Sequence, residues 1–440
     1  MKAENTLAET RSSLRRIATN TAWLLGGKGF GALCGIAYLA ILTRSLGVKD
    51  FGHFALIFGT AQALIALAGF ETWRVIIRFG ADYVHRQEWA RFGRLAMLCG
   101  LLDVAGAIAG SLLAFVIIYG FADLLDLNPD YIDPAFLFAC AMLFALVSAP
   151  TGVVRALHRF DRAVYVEAIV PIGRLGAALL IWSTEPSVIR FLIAWAAIDL
   201  IEAALYWTMA RRLCPEAIRL HYLKQWRIAL TENPGIVRFS LMTHAGGTID
   251  AVMRHGPLLA VGGLVGTKAA GLYRLASQLS QAMGKLSALL TRSVYAEVAH
   301  VKASSGPAEL RHLAVRASAI AGLGGLATTM LAWLFGADLL ALIGGSAYQQ
   351  GVGILIPLAI AGSFELASVV FEPVLHSTDA TGRALSARIA GVCLMLLAIA
   401  SIPALGAEGI AWCVALGSFA AYISMAILAF WQIQRRPDLT

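Results

Sequence analysis

Five basic side chains fall inside stretches that are otherwise apolar: Lys28, Arg174, Arg254, Arg274 and Lys285. Acidic ones do the same, among them Asp103, Glu167, Asp199, Glu202 and Glu365. A charge within a membrane span is costly, and as a rule it faces a wet cavity and has a task there. Buried cations suit an anionic cargo, because Arg can grip phosphate oxygens two at a time while Lys acts as a point charge. Carboxylates in a low dielectric hold a proton more tightly, above all where two are neighbours. Asp199 and Glu202 are three residues apart and share a helix face. That is the physics a proton-coupled exporter needs. Asp103, Asp199, Glu202 and Glu365 are therefore the candidates for coupling to an ion.

Each of these residues also has a plainer role open to it. Arg254 follows Asp250 by one turn and could pair with it. Arg274 and Lys285 could snorkel to a surface. Arg174 could pair with Glu167 across two turns. Arg74 and Arg78, at the inner end of the second apolar stretch, either anchor it or face inward. The acids could serve as hydrogen-bonding groups between helices. For an anionic cargo the expected residues are Lys28, Arg254 and Arg274, followed by Arg74, Arg78 and Arg174. Lys28 stands among Gly27, Gly31 and Gly35, whose four-residue spacing permits close helix approach. Gly26-Gly27-Lys28-Gly29 is not a P-loop, since it lacks the spacer and the following Ser or Thr. No ATPase motif is present, and no cofactor or metal site is expected.

The elements that must position these groups are membrane helices. The chain has 440 residues, 59% hydrophobic and 14% charged, against about 25% charged in a soluble domain. Twelve spans are expected, at 21–43, 51–72, 95–119, 135–154, 164–182, 188–210, 236–257, 270–291, 314–336, 351–372, 386–403 and 409–431. Pro171 and Pro357 are expected to interrupt the fifth and tenth. Lys and Arg crowd alternate gaps: 26 lie on one side, while Arg44, Lys49, Arg190 and Lys268 alone lie on the other. This asymmetry places both termini in the cytoplasm. The aspartate-rich gap at 123–133 falls outside, as a solvated loop. The net charge of +8 thus reflects orientation and attraction to membrane lipids, not nucleic acid. The expected organisation is a cytoplasmic tail at 1–20, with an interfacial helix at 6–17, and an N-lobe at 21–212. A cytoplasmic loop at 213–235, a C-lobe at 236–432 and a tail at 433–440 complete it. Five of the six cysteines lie in spans, and without CxxC spacing they indicate neither disulfides nor metal.

The halves repeat. Gly47, Lys49 and Gly52 match Gly266, Lys268 and Gly271 at a spacing of 219, and Leu157-His158 with Asp161 matches Leu375-His376 with Asp379 at 218. Six helices per half make this a parallel repeat, an arrangement that sets a cavity between two bundles.

The segment from Leu42 to Gly52, its counterpart from Val265 to Tyr273, and the run Arg155-Ala156-Leu157-His158-Arg159-Phe160-Asp161 resemble corresponding parts of bacterial polysaccharide flippases. These are the Wzx-type transporters of the multidrug/oligosaccharidyl-lipid/polysaccharide exporter superfamily. The likeness runs from about residue 12 to 432. It implies an all-α polytopic protein of two six-helix lobes. It also implies a role in O-antigen or exopolysaccharide assembly at the bacterial inner membrane. There a polyprenyl-diphosphate-linked oligosaccharide would be turned to the periplasmic leaflet. A polysaccharide polymerase and a chain-length regulator are the partners it implies. Two other classes stay open. A cation-coupled drug or metabolite exporter of the same superfamily would need an acidic cavity, and a membrane polymerase or ligase would need a large outer catalytic loop. The longest outer gap, about 120–134, is short and has no Arg or His, so no enzyme is expected.

Overall fold

Backbone N–H and C=O groups find no water in hydrocarbon, so apolar segments of this length close their hydrogen bonds internally as helices. The computed structural model describes residues 29–121, 126–285, 314–369, 382–401 and 406–432, with His312, Phe371 and Leu375. Of 2–28, 286–300, 307–311, 313, 381 and 433–435 it describes the helical backbone alone. The helices are α1 (Lys2–Ala68), α2 (Thr72–His85), α3 (Trp89–Gly120), α4 (Ile132–Phe144), α5 (Ser148–Ala156), α6 (Phe160–Glu167), α7 (Ile169–Ser183) and α8 (Val188–Leu213). They continue with α9 (Trp226–Glu232), α10 (Ile236–Val265), α11 (Thr267–His300), α12 (Pro307–Gly344), α13 (Val352–Ser368), α14 (Thr381–Ser401) and α15 (Ala407–Arg435).

The protein is an all-α, multi-pass membrane protein. By length and composition, 8 stretches among the described residues can cross a membrane. The first of them, Gly29–His85, contains the second expected span and all of the first from Gly29 onward. The spans expected at 188–210, 236–257 and 270–291 lie in α8, α10 and α11. These three helices carry ionisable side chains, among them Asp199, Glu202, Arg254 and Arg274. The backbone is helical from Lys2 onward, with no separate short helix at 6–17. Pro357 lies within the unbroken α13 and does not interrupt it. The fifth expected span is interrupted as expected: it breaks at Ala168, and Pro171 stands in the first turn of the helix that follows, where its missing N–H costs nothing.

The chain forms two compact units. One comprises Met1–Ser45, Leu64–Gly120 and Ile132–Gly247, the other Leu46–Ala63, Phe121–Tyr131 and Thr248–Thr440. The first has an apolar core of Val75, Ile76, Phe92, Leu95, Val154 and Tyr206, among others. Part of the core of the second is Ala314, Ala317, Phe371, Leu375, Ala387 and Met425.

The repeat is visible as a reciprocal contact inside the second unit. A Cβ on Gly52 would stand 2.0 Å from the carbonyl oxygen of Thr267, and one on Gly271 would stand 2.4 Å from that of Val48. Adding 219 to Gly52 gives Gly271, and adding it to Val48 gives Thr267, so each contact is the other with the halves exchanged. The matched glycines before it, Gly47 and Gly266, both turn the chain with positive φ, 72° and 108°. Only glycine adopts that conformation without steric cost. Next to this contact Asp126 fastens the start of α11. Its carboxylate accepts the Thr267 N–H at 3.0 Å and the Thr267 hydroxyl at 2.7 Å. That N–H, and then that hydroxyl, hold the Asp126 carboxyl below the usual aspartate range.

Candidate functional site

Three helix breaks in the first unit open onto one cavity. The first lies between α1 and α2 at Gly69–Glu71, and the second between α4 and α5 at Ala145–Val147. The third is the single residue Ala168 between α6 and α7. The cavity has a volume of about 480 Å³, and its walls include Gly69, Phe70, Glu71, Ala145, Leu146, Val147, Ser148 and Glu167. Non-helical backbone at membrane depth is tolerated only in protein or beside water, and discontinuous helices commonly build transporter binding sites. Side chains take up part of what the breaks release. The Trp207 indole N–H donates to the Leu146 carbonyl at 3.0 Å, and His244 Nδ1 lies 2.8 Å from the Gly69 oxygen. Glu71 adopts a left-handed conformation, φ 44° and ψ 44°, a strain of the kind that gathers at working sites.

The charge of this cavity is mainly acidic. Glu71, Asp103, Glu167 and Glu202 line it, together with Arg155. Asp103 is buried, accepts the Thr72 hydroxyl at 2.8 Å and takes the Ala149 backbone N–H at 2.9 Å. Thr72 opens α2 and Ala149 is the second residue of α5, so one carboxylate serves the N-termini of two half-helices. The Thr72 hydroxyl also lies 2.9 Å from Ser148 Oγ, which accepts the Trp73 N–H at 3.2 Å. Glu167 accepts from Arg155 at 3.2 Å and from the Tyr206 hydroxyl at 3.2 Å. Arg155 also lies over the ring of Trp73, at 5.1 Å. Glu71 holds Arg74 at 2.8 Å. Glu202 has no hydrogen bond or ion pair among the described residues.

Of the six expected cargo-binding cations, the five whose side chains are described are not among the lining residues. Lys28 lies outside the described side chains. Arg74 is drawn to Glu71, and exposed Arg78 stacks on Phe239 at 4.4 Å. Arg174 binds Asp199 rather than Glu167, with one nitrogen 2.8 and 2.9 Å from the two carboxylate oxygens, and lies over Trp195. That pair gives Asp199 a partner of its own, while its charge still acts on Glu202. In the second unit Asp250 pairs with Arg388 at 2.8 Å, which leaves exposed Arg254 with no ion pair among the described residues. Arg254 and Asp250 both act on Glu365 through their charge. Half-buried Arg274 stacks on Phe58 at 5.4 Å, while Lys285 is exposed.

The Arg174–Asp199 pair is largely buried, with each side chain 11% exposed. Removing one partner of such a pair strands the other charge, which costs about 3–5 kcal/mol, whereas replacing both with apolar groups can be neutral. Arg174→Ala is therefore expected to unfold well below the parent in a thermal melt, and Arg174→Met with Asp199→Leu is expected to recover most of the loss. Equal melting of single and double variants would count against the pair.

The sequence reading missed Glu71, Trp73, Ser148 and Tyr206 and gave Arg155 only a place in the family-like run at 155–161. Pro171 had marked the break at Ala168, and signals for the other two were present. Gly69 followed by Thr72 is a helix stop and start, and Ser148 with Pro150 is a helix start inside an expected span.

Residues 17–295 match the family model described as polysaccharide biosynthesis protein. The inner membrane protein YghQ of Escherichia coli K12 is 24% identical over 354 residues, covering 78% of this chain and 96% of that protein. A multidrug resistance MATE family transporter of the MOP superfamily has a similar fold, with a TM-score of 0.72, 14% identity and coverage of 93% and 96%. So does the lipid II flippase MurJ, with a TM-score of 0.68, 10% identity and coverage of 93% and 89%. With more than half its length matched to this one family model, the chain belongs to the polysaccharide biosynthesis protein family.

Proposed function

We propose that this protein carries a polyprenyl-diphosphate-linked oligosaccharide from the cytoplasmic to the periplasmic leaflet of a bacterial inner membrane by alternating access, for O-antigen or exopolysaccharide assembly. Both termini lie in the cytoplasm, and a polymerase and a chain-length regulator act downstream. The observation that carries this reading is the family match over residues 17–295; the fold shared with a lipid II flippase supports it. The diphosphate must shed its hydration to cross hydrocarbon, a cost that guanidinium groups offset. Arg254 and Arg274 are the groups best placed for this in the second unit. Lys28, Arg74, Arg78 and Arg174 complete the proposed set, Arg174 with its charge already shared. Among the coupling candidates, Asp103 and Asp199 are held by partners, so ion coupling falls to Glu202 and Glu365.

Arg254→Ala and Arg274→Ala are each expected to reduce glycan output roughly tenfold or more in a strain lacking its own transporter, with protein levels unchanged. Normal output from both would remove these residues from the proposal.

One observation favours a second reading: four carboxylates against one guanidinium in the first unit's cavity suit a cationic cargo. Proteoliposomes separate the two. A sugar-lipid flippase moves lipid-linked oligosaccharide and leaves ethidium where it is, whereas a cation exporter does the reverse.

A further inference from the structure

We infer that the cavity of the first unit selects the sugar head by charge: it receives an uncharged or amine-bearing sugar and rejects an acidic one, because its place for an anion is already filled by Asp103. This rests on the flippase reading and adds the class of head group to it.

The N-termini of half-helices attract anions through unpaired N–H groups and the helix dipole. In this cavity the α2 and α5 N-termini already satisfy a resident carboxylate. Asp103 takes the Thr72 hydroxyl at 2.8 Å and the Ala149 N–H at 2.9 Å. The donors that would greet a uronate or a phosphate are used within the protein. The remaining cation, Arg155, is paired to Glu167. Glu202 lines the same space with no hydrogen bond or ion pair among the described residues. An acidic sugar would bring a second carboxylate beside it with no free guanidinium to share, which is discrimination by repulsion. Hydroxyl and ammonium groups are donors, and Glu202 and Glu167 are acceptors for them. At about 480 Å³ the space falls within the usual range for small-molecule sites.

The test uses the full-length protein in lipid nanodiscs. Ala145→Cys places a thiol on the cavity wall, and Thr151→Cys serves the same purpose if the first variant folds poorly. None of the six native cysteines is among the lining residues. The reaction rates of trimethylammonioethyl and sulfonatoethyl methanethiosulfonate are each divided by the reagent's rate with free 2-mercaptoethanol. The cation is expected to be favoured roughly tenfold, and adding Glu202→Gln is expected to remove most of that preference. Methyl glucoside and glucosamine are expected to slow labelling at concentrations where glucuronate does not. Equal normalised rates, preference for the sulfonate, protection by glucuronate, or failure of the cation to react would each overturn the inference. Flipping of lipid-linked oligosaccharide is read separately in proteoliposomes. A protein that flips but labels without regard to charge loses only the charge selection. One that labels selectively yet moves ethidium and no glycan loses the flippase reading.

Discussion

Gly52→Ala is expected to lower the unfolding temperature more than a methyl group added at almost any other glycine. The new Cβ would stand 2.0 Å from the Thr267 carbonyl oxygen and 2.9 Å from its carbon. These are backbone atoms at the head of α11, and they cannot rotate aside as a side chain would. Overpacking of this kind typically costs 1–3 kcal/mol, and a backbone obstacle places this case at about 3 kcal/mol. Gly271→Ala meets the Val48 oxygen at 2.4 Å and should behave alike. Gly246→Ala is the control, because nothing lies within 4 Å of its added carbon. In that helical setting alanine should be neutral or slightly stabilising. Thermal unfolding in detergent, followed by circular dichroism, gives the comparison. If Gly52→Ala melted with the control, the close contact would not be present in the protein as it exists in solution.

Asp103→Ala carries the second large effect. Removing the carboxylate leaves the Ala149 N–H without its acceptor, at about 1–3 kcal/mol, while the Thr72 hydroxyl still has Ser148 Oγ at 2.9 Å. The emptied volume adds to that. A total loss of about 3 kcal/mol is expected. Asp103→Asn keeps the shape and one acceptor oxygen but turns an N–H₂ group toward the other donor, so it should fall between the alanine variant and the parent. The same variants separate two roles for this residue. A staple between half-helices loses thermal stability in proportion to the groups removed. A carboxylate whose task is proton transfer loses transport in the asparagine variant while melting like the parent.

Helices and passes were legible because the bilayer forbids alternatives and because length and charge asymmetry are written residue by residue. The repeat was legible for a related reason: Gly47, Lys49 and Gly52 recur together, and the structure places the two copies against each other. The cavity was not, because its residues come from six stretches of sequence. Gly69–Glu71, Asp103, Ala145–Ser148, Glu167, Glu202 and Gly247 share no spacing pattern, and only folding joins them. Charge pairing was equally hidden. Arg174 lies closer in sequence to Glu167 than to Asp199, yet it binds Asp199 on the packed neighbour α8, while Glu167 turns to Arg155. Helical spacing shows which partners lie within reach along one cylinder, and it is silent about partners across the gap to the next. Arg254 illustrates the same limit. Its neighbour one turn away, Asp250, is taken by Arg388 from another helix.

The exchange between Gly52 and Gly271 makes this seam an isologous interface, of the kind two identical subunits form, folded into a single polypeptide. Duplicated segments ordinarily diverge without regard to one another. Here a side chain acquired by either copy collides with the main chain of its twin, so the two glycines are answerable to each other, and neither position can drift alone.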